Sequence, residues 1–506
     1  MDCRVELQDS ATEGPWPLPE GWCWAKLREV GKWCSGGTPK SNEPSYYDGT
    51  IPWFRITELN EGRLRRAEKH LTEKGLARSS AKILPAPFLM FAMYGASIGK
   101  MAISEIDAST NQAIACCLPF EGISIDYLFF ALQLMKRSII ALGQGGAQPN
   151  ISQRILLECS IPVAPLAEQR RIVARINALF AEIAEGEAAL AAARDGLDTF
   201  RRALLKAAVI GKLTEDWRAR NTPPESGTDF LARIAKERGE RSVGRMRSNG
   251  RKAAPLDISN LPKLPETWAW ARWRDIGLSQ NGRPFPSGQY SSSGVRLLRP
   301  GNLFADGRVR WTERNSRYLP EEFASKNQDL IIRGGEIVIN LTAQSLKDEF
   351  LGRTCITEPD EYCLLNQRLA RLTPVGLDSH YMLLVFKSSI FRSFVEGLNS
   401  GSLIQHMFTS QIDEFCFPVP PPAEAEEIVR RVSDALAASA DTLDVLDAEA
   451  ADAVRLKQSI LKAAFEGRLV PQDSADEPAS ALLARLAATA PAPTLSKRGR
   501  SARSPA

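Results

Sequence analysis

The chain of 506 residues has no apolar run near the ~18 residues of a membrane helix, which excludes a helical span from the reading. Its opening, MDCRVELQDSATEG, has no basic stretch followed by an apolar one, so no secretory signal is expected. Cysteine is scarce and scattered: Cys3, Cys23, Cys34, Cys116, Cys117, Cys159, Cys355, Cys363 and Cys416. An odd count without a C-x-x-C pair argues against a disulfide framework or a zinc ribbon. Free thiols packed as small hydrophobes in a reducing cytoplasm are expected instead. The histidines, His70, His380 and His406, stand too far apart to form a ligand pattern with cysteines. An excess of one charge is lacking too, with a net of only +4. Bulk charge therefore makes no case for nucleic acid, and any such case rests on local basic patches.

What is present is a long chain of ordinary globular composition, 44% hydrophobic and 25% charged. Single cores stop growing near ~250–300 residues, so at least two domains are expected. The chain is written twice. LPEGWCWAKLREVG (18–31) returns as LPETWAWARWRDIG (264–277), and NEGRLR (60–65) returns as ADGRVR (305–310). Gly99-Lys100 returns as Gly352-Arg353, and Asn111-Gln112 as Asn366-Gln367. IPVAPLAEQRRIV (161–173) returns as FPVPPPAEAEEIV (417–429), and LLKAAVIGKL (204–213) as ILKAAFEGRL (460–469). Matches in one order along the chain mark an internal duplication. Each copy has a globular part of short β-like stretches with some helix, followed by a long helix. The fold class is α+β (mixed α/β), without the regular alternation of a doubly wound sheet.

The helices are the clearest local signal. Ile176, Ile183, Leu190, Leu197 and Leu204 form one heptad series; Ile172, Leu179, Gly186, Ala193 and Phe200 form the second. The later helix repeats the pattern through Leu436, Leu443, Leu446 and Ile460, with more Ala and Ser. Each helix would be ~65 Å long at 1.5 Å per residue. Isolated helices gain too little from propensity alone, so each needs a partner along its length. The expected partner is the other copy, in an antiparallel coiled coil with a pseudo-twofold internal repeat. The domain plan is then an N-terminal extension (1–17), a first globular domain (18–164), a central helix (165–213) and a basic, partly disordered linker (214–262). A second globular domain (263–420), a C-terminal helix (421–469) and a largely disordered tail (470–506) follow.

Two similar modules at a fixed separation suit a rigid, repetitive ligand, and duplex DNA is one. The first module offers the loop Gly36, Gly37, Thr38 and Lys40, then Arg55 and the basic run Arg63, Arg65, Arg66 and Lys69. The second offers Gln280, Asn281, Arg283, Arg296, Arg299, Asn302, Arg308, Arg310, Gln344 and Lys347. Arginine reading guanine, and Asn or Gln reading adenine, are the pairings expected of such side chains. The plain alternatives are solvated faces for the arginines and tight turns for the glycine loops.

These segments resemble the specificity subunits of type I restriction-modification enzymes. The likeness is carried by L-P-x-x-W-x-W at the head of each copy, SGGTPK with IPWFRITEL after it, and the Asn-Gln pair. PLAEQRRIV and LLKAAVIGKL at the ends of the first helix complete it; the second copy departs, with PPPAEAEEIV and no Gly-Gly-Thr-Pro loop. The resemblance covers roughly 18–215 and 263–470. It implies a non-catalytic cytoplasmic subunit whose two target-recognition domains each read half of a bipartite double-stranded DNA target. It further implies two methyltransferase subunits docked on paired helices that set the gap, joined by restriction subunits that cut DNA. S-adenosylmethionine, ATP and Mg would sit on those partners, with no cofactor or metal on this chain.

The chemistry of an enzyme is not legible here. Gly95-Ala96-Ser97-Ile98-Gly99-Lys100 approaches a phosphate-binding loop, but its glycines stand one residue too close and Met101 replaces the magnesium-binding Ser or Thr. It reads as a tight strand turn. The stretch 233–252 and the tail PAPTLSKRGRSARSPA are basic and read as solvated segments, with a short helix expected at 228–240. The rival readings are a coiled-coil scaffold with two protein-binding modules, and an enzyme carrying restriction or methylation in one chain.

Overall fold

The computed structural model describes residues 14–143, 150–242, 256, 259, 261–344, 349–398 and 405–489. The chain divides into two compact units, Met1–Leu190 with Ala448–Ala506, and Ala191–Asp447. Both are mixed α and β, and both are built to one plan.

In the first unit a five-stranded sheet runs in the order Gly31–Ser35, Ile114–Pro119, Phe88–Ala92, Met101–Ser104, Arg63–Leu64. A three-stranded sheet, Lys69–Leu71, Tyr47–Phe54 and Ser109–Thr110, lies beside it in sequence. The strand Cys23–Lys26 pairs antiparallel with Ser160–Val163, bringing the two ends of the module together. The second unit repeats that closure with Ala269–Arg272 on Cys416–Val419. It builds two four-stranded sheets, one starting with Gly277–Asn281 against Leu369–Pro374, the other centred on Val295–Leu298 and Tyr362–Leu365.

The repeated words of the sequence are joints of this plan. Trp22 of the first L-P-x-x-W donates its indole N–H to Glu168, 2.9 Å away, in the first turn of the long helix Leu166–Val209. Trp268 donates to Glu424 at the same distance, in the first turn of the long helix Pro422–Phe465. The tyrosine hydroxyls also correspond: Tyr127 donates to the Pro162 carbonyl at 3.0 Å and Tyr381 to the Pro418 carbonyl at 2.9 Å. Buried indole and phenol groups need such partners, and each joint fixes the angle at which a helix leaves its module.

Within each unit, segments of the two long helices pair antiparallel. In the first, Ile172 and Ile176 share a core with Ile460, Leu461, Ala464 and Phe465, and Glu187 is held by Lys457 at 2.8 Å. In the second, Leu204, Ala208 and Val209 share a core with Ala425, Ile428 and Val432, and Arg194 pairs with Asp447. Ile176, Leu204 and Ile460 are buried; Ile183, Leu190, Leu197, Leu436, Leu443 and Leu446 are half-buried. The other heptad series of the first helix begins as expected, with Ile172 buried and Leu179 half-buried, and is shifted by one residue from position 186 on. Gly186, Ala193 and Phe200 are exposed, Phe200 by 46%, whereas Glu187, Arg194 and Arg201 are half-buried. Helices drift against an ideal heptad, and long charged side chains can cover a seam with their stems while their heads find counter-charges.

The linker carries the short helix expected at 228–240 and a further one, and the tail carries a helix that was not expected. The expected connector 214–262 carries the helices Glu215–Arg220 and Gly227–Ser242. The expected disordered tail carries the helix Ala479–Thr489. The two later helices are one repeat that the sequence comparison missed. FLARIA (230–235) matches LLARLA (482–487), and Glu225–Arg233 pairs as Glu477–Arg485 does. Phe230 packs beside Gly376, and Leu482 beside Gly122, where a Cβ would come within 2.5 Å of Leu482. The basic residues 243–252 and the end of the tail lie outside the described residues. Among the described residues, no helix is long and apolar enough to cross a membrane.

Candidate nucleic-acid interface

The glycine loops come first because both units hold them alike. After the strand Gly31–Ser35, Gly36 donates to the Ile114 carbonyl at 3.2 Å and Gly37 to the Thr110 carbonyl at 2.8 Å. A Cβ on Gly36 would lie 2.3 Å from the Asn111 carbonyl oxygen, so only glycine fits against the Asn-Gln turn. Thr38 and Gln112 then meet side chain to side chain. In the second unit Gly282 donates to the Leu369 carbonyl at 3.0 Å, and a Cβ there would lie 2.2 Å from the Asn366 carbonyl oxygen. Gln367 donates to the Arg283 carbonyl at 2.9 Å. The SGGTPK spelling is lost, yet the seat on the Asn-Gln turn is kept. Gly36, Gly37 and Gly282 are therefore seats for the loops; Lys40, Asn281 and Arg283 are the exposed side chains those loops present.

Most of the arginines singled out from sequence are tied to carboxylates. Arg55 bonds Glu58 at 3.2 Å and Glu68 at 2.8 Å. Arg63 reaches Glu105 and Asp126, and Arg65 shares Glu105. Those guanidiniums, Arg65 foremost, hold the Glu105 carboxyl below the usual carboxylate range. Arg283 pairs with Asp329 at 3.0 Å, and Arg310 with Asp306. Arg296 stands over the Trp311 ring, 5.2 Å from its centroid, beside Glu361. Gln280 donates to the Asp329 carbonyl, and Asn281 to Thr409. Asn302 is fully buried, and its side chain accepts the Arg299 backbone N–H at 2.9 Å, so it caps a turn instead of standing at the surface as expected. Arg66, Lys69, Arg308 and Gln344 are exposed, and Lys347 lies outside the described residues.

The second unit also holds a cleft of about 490 Å³ that sequence reading did not assemble. Arg299, Arg314, Arg317 and Arg368 line it, with Tyr290 and the Asn366-Gln367 turn. Arg299 lies 5.9 Å from the Tyr290 ring centroid. Of the four arginines, only Arg299 was foreseen. A signal existed: RAEKHL (66–71) aligns with RNSRYL (314–319), which would have pointed to Arg314 and Arg317 from Arg66 and Lys69.

Gly95–Lys100 is the turn between the paired strands Phe88–Ala92 and Met101–Ser104, with Gly95 and Gly99 at φ of 74° and 77°. It also spells G-x-S-x-G. A nucleophile elbow leads from strand to helix, whereas this segment leads from strand to strand. Among the described residues, no three His, Cys, Asp or Glu side chains are grouped to hold a metal.

Duplicated modules, each closed on itself and each tied through a tryptophan to a long helix, define a tandem recognition architecture. Residues 19–190 match the family model described as the type I restriction modification DNA specificity domain. The specificity subunit of type I restriction enzyme EcoAI from Escherichia coli is 24% identical, over 84% of this chain and 79% of its own. That of EcoKI, from Escherichia coli strain K12, is 26% identical over 91% and 92%. A chain solved in work on assembly and conformational transition of the type I R-M system shares the fold. Its TM-score is 0.62 at 18% identity, covering 90% of this chain and all of that one. Residues 19–190 thus match the type I DNA specificity domain, and most of the chain is similar to type I restriction enzyme specificity subunits.

Proposed function

We propose that this chain is the DNA-recognition subunit of a type I restriction-modification complex and does no bond-making itself. Each unit reads one half of a bipartite duplex target. Base edges specify each half, and phosphate contacts place the module on it. The observation that carries this reading is the duplicated seat, a glycine loop held on an Asn-Gln turn in both units although the loop spelling has diverged. A shared frame with changed exposed residues is what reading two different half-sites requires.

The finer partners follow from the same reading. Two methyltransferase subunits dock on the paired helices and modify adenine, which they take out of the base stack. Restriction subunits join that core to cut unmodified DNA. S-adenosylmethionine, ATP and Mg are held by those subunits. Exchange of residues 18–164 for the first module of another subunit tests the proposal, with methylated adenines mapped across the genome. One half of the methylated target changes and the other persists; changes in both halves would refute one module per half-site.

A further inference from the structure

We infer that the arginine cleft of the second unit is a seat for DNA backbone phosphates, and that the first unit has no equivalent seat. This rests on the DNA-recognition reading and deepens it. The argument comes from comparing matched positions. Arg55 and Arg299 stand at the same point, just after the strands Tyr47–Phe54 and Val295–Leu298. Each backbone N–H is capped three residues on, by Glu58 at 3.0 Å in the first unit and by Asn302 at 2.9 Å in the second. The exchange of Glu for Asn keeps the cap and removes the charge. The neighbouring strand repeats the exchange. Lys69 is the register partner of Trp53, and the carbonyl of Arg317 accepts the backbone N–H of the matching Leu297 at 2.9 Å. Glu68, next to Lys69, bonds Arg55; Ser316 stands in its place next to Arg317. Arg314 matches Arg66, and Arg368 follows the Asn-Gln turn where the first unit has Ala113.

The first unit thus ties Arg55, the counterpart of Arg299, to Glu58 and Glu68. The second sets four guanidiniums around one cleft, and among the described residues none of the four pairs with a carboxylate. Convergent like charges repel, and a partly enclosed cleft weakens the screening that would relieve them. Such a group is stabilised by an anion, and guanidinium forks match phosphate oxygens in pairs. Duplex DNA supplies these phosphates at regular spacing.

The test uses the full chain and a fluorescent duplex of about 30 base pairs, long enough for several helical turns. Binding is followed as salt rises from ~50 to ~200 mM, where each phosphate contact contributes a slope of ~0.9 in log affinity against log salt. The variant Arg314→Gln/Arg317→Gln/Arg368→Gln is expected to lower that slope by about two to three, with its ranking of different duplex sequences unchanged. Single changes, which keep the protein folded if the triple change does not, each lower it by about one. Arg55→Gln, in the carboxylate-bound position, leaves the slope as it is. An unchanged slope in the cleft variants overturns the inference while the recognition reading stands. A changed sequence ranking at constant slope overturns it in favour of base reading. A parent chain that binds no duplex overturns both.

Discussion

The two units put the same carboxylate under opposite conditions. Glu424 is fully buried, and beyond Trp268 it is bonded by Thr214 at 2.6 Å and by the Arg218 guanidinium. Glu168 is 2% exposed, and its second oxygen has no hydrogen-bond partner among the described residues. Burial pushes the Glu168 carboxyl up, against the pull of Trp22 and Arg171. Duplication preserved the tryptophan joint, but each unit balances its buried charge differently. The matched arginines at the surface teach the same lesson in reverse, with Arg55 of the first unit compensated by Glu58 and Glu68 and the cleft around Arg299 in the second not. Repetition of a backbone plan does not carry over the electrostatics, because counter-charges come from positions that diverge freely.

Three experiments break or sharpen that comparison, the first two read from unit-specific hydrogen exchange in the full chain. The largest effect is expected at the repeated packing helix. Phe230→Ala is expected to cost the second unit about 3–5 kcal/mol, and Leu482→Ala the first about 2–3 kcal/mol. Equal losses would mean that the two helices are anchored equally, despite the smaller side chain at 482.

The carboxylates come next. Glu424→Gln leaves Arg218 without its counter-charge, and a loss of about 3 kcal/mol in the second unit is expected. Glu168→Gln is expected to cost the first unit under ~1 kcal/mol near pH 5. The sign with pH follows from the raised carboxyl. Its contribution is fully present below the unfolded value near ~4.3, and is lost as pH rises through the folded value. The amide does not titrate, so Glu168→Gln should gain on the parent as pH rises from the unfolded value through the raised folded one. A parent that gains on the variant over that range would contradict the uncompensated burial of Glu168.

The smallest effect is at the surface. Glu58→Asn with Glu68→Ser copies the second unit's neutral pair into the first and releases Arg55. The salt slope of duplex binding should rise by about one, a change that electrophoretic or anisotropy titration resolves. No rise would show that removing carboxylates is insufficient to create a phosphate contact there.

The long-range plan was legible in the sequence because duplication writes each joint twice. Trp22 and Trp268, Glu168 and Glu424, and the Asn-Gln pairs could be matched by eye before their contacts were known. The heptads placed the helices within a few residues of Leu166–Val209 and Pro422–Phe465. The helix at 228–240 was legible, but its repeat at Ala479–Thr489 was missed because LARIA and LARLA are short and sit in segments whose composition reads as linker and tail. Among the candidate contacts, residue type separated poorly. Arg55, Arg63 and Arg299 look alike as letters, and Asn302 passed for an exposed donor although it is a buried cap.

The amino-acid order by itself determined that there are two copies, that each ends in a long helix with an apolar seam, and that the copies share anchoring residues. Periodicity and repetition are local properties, readable without knowing what lies across a fold. Only the tertiary structure decided which cations are neutralised and which converge without a carboxylate partner among the described residues. Arg63 meets Asp126 across the first unit, while Arg299, Arg314, Arg317 and Arg368 gather from separate turns of the second. Electrostatic balance depends on distance in space, falling with separation between charges, and the folded chain sets those distances.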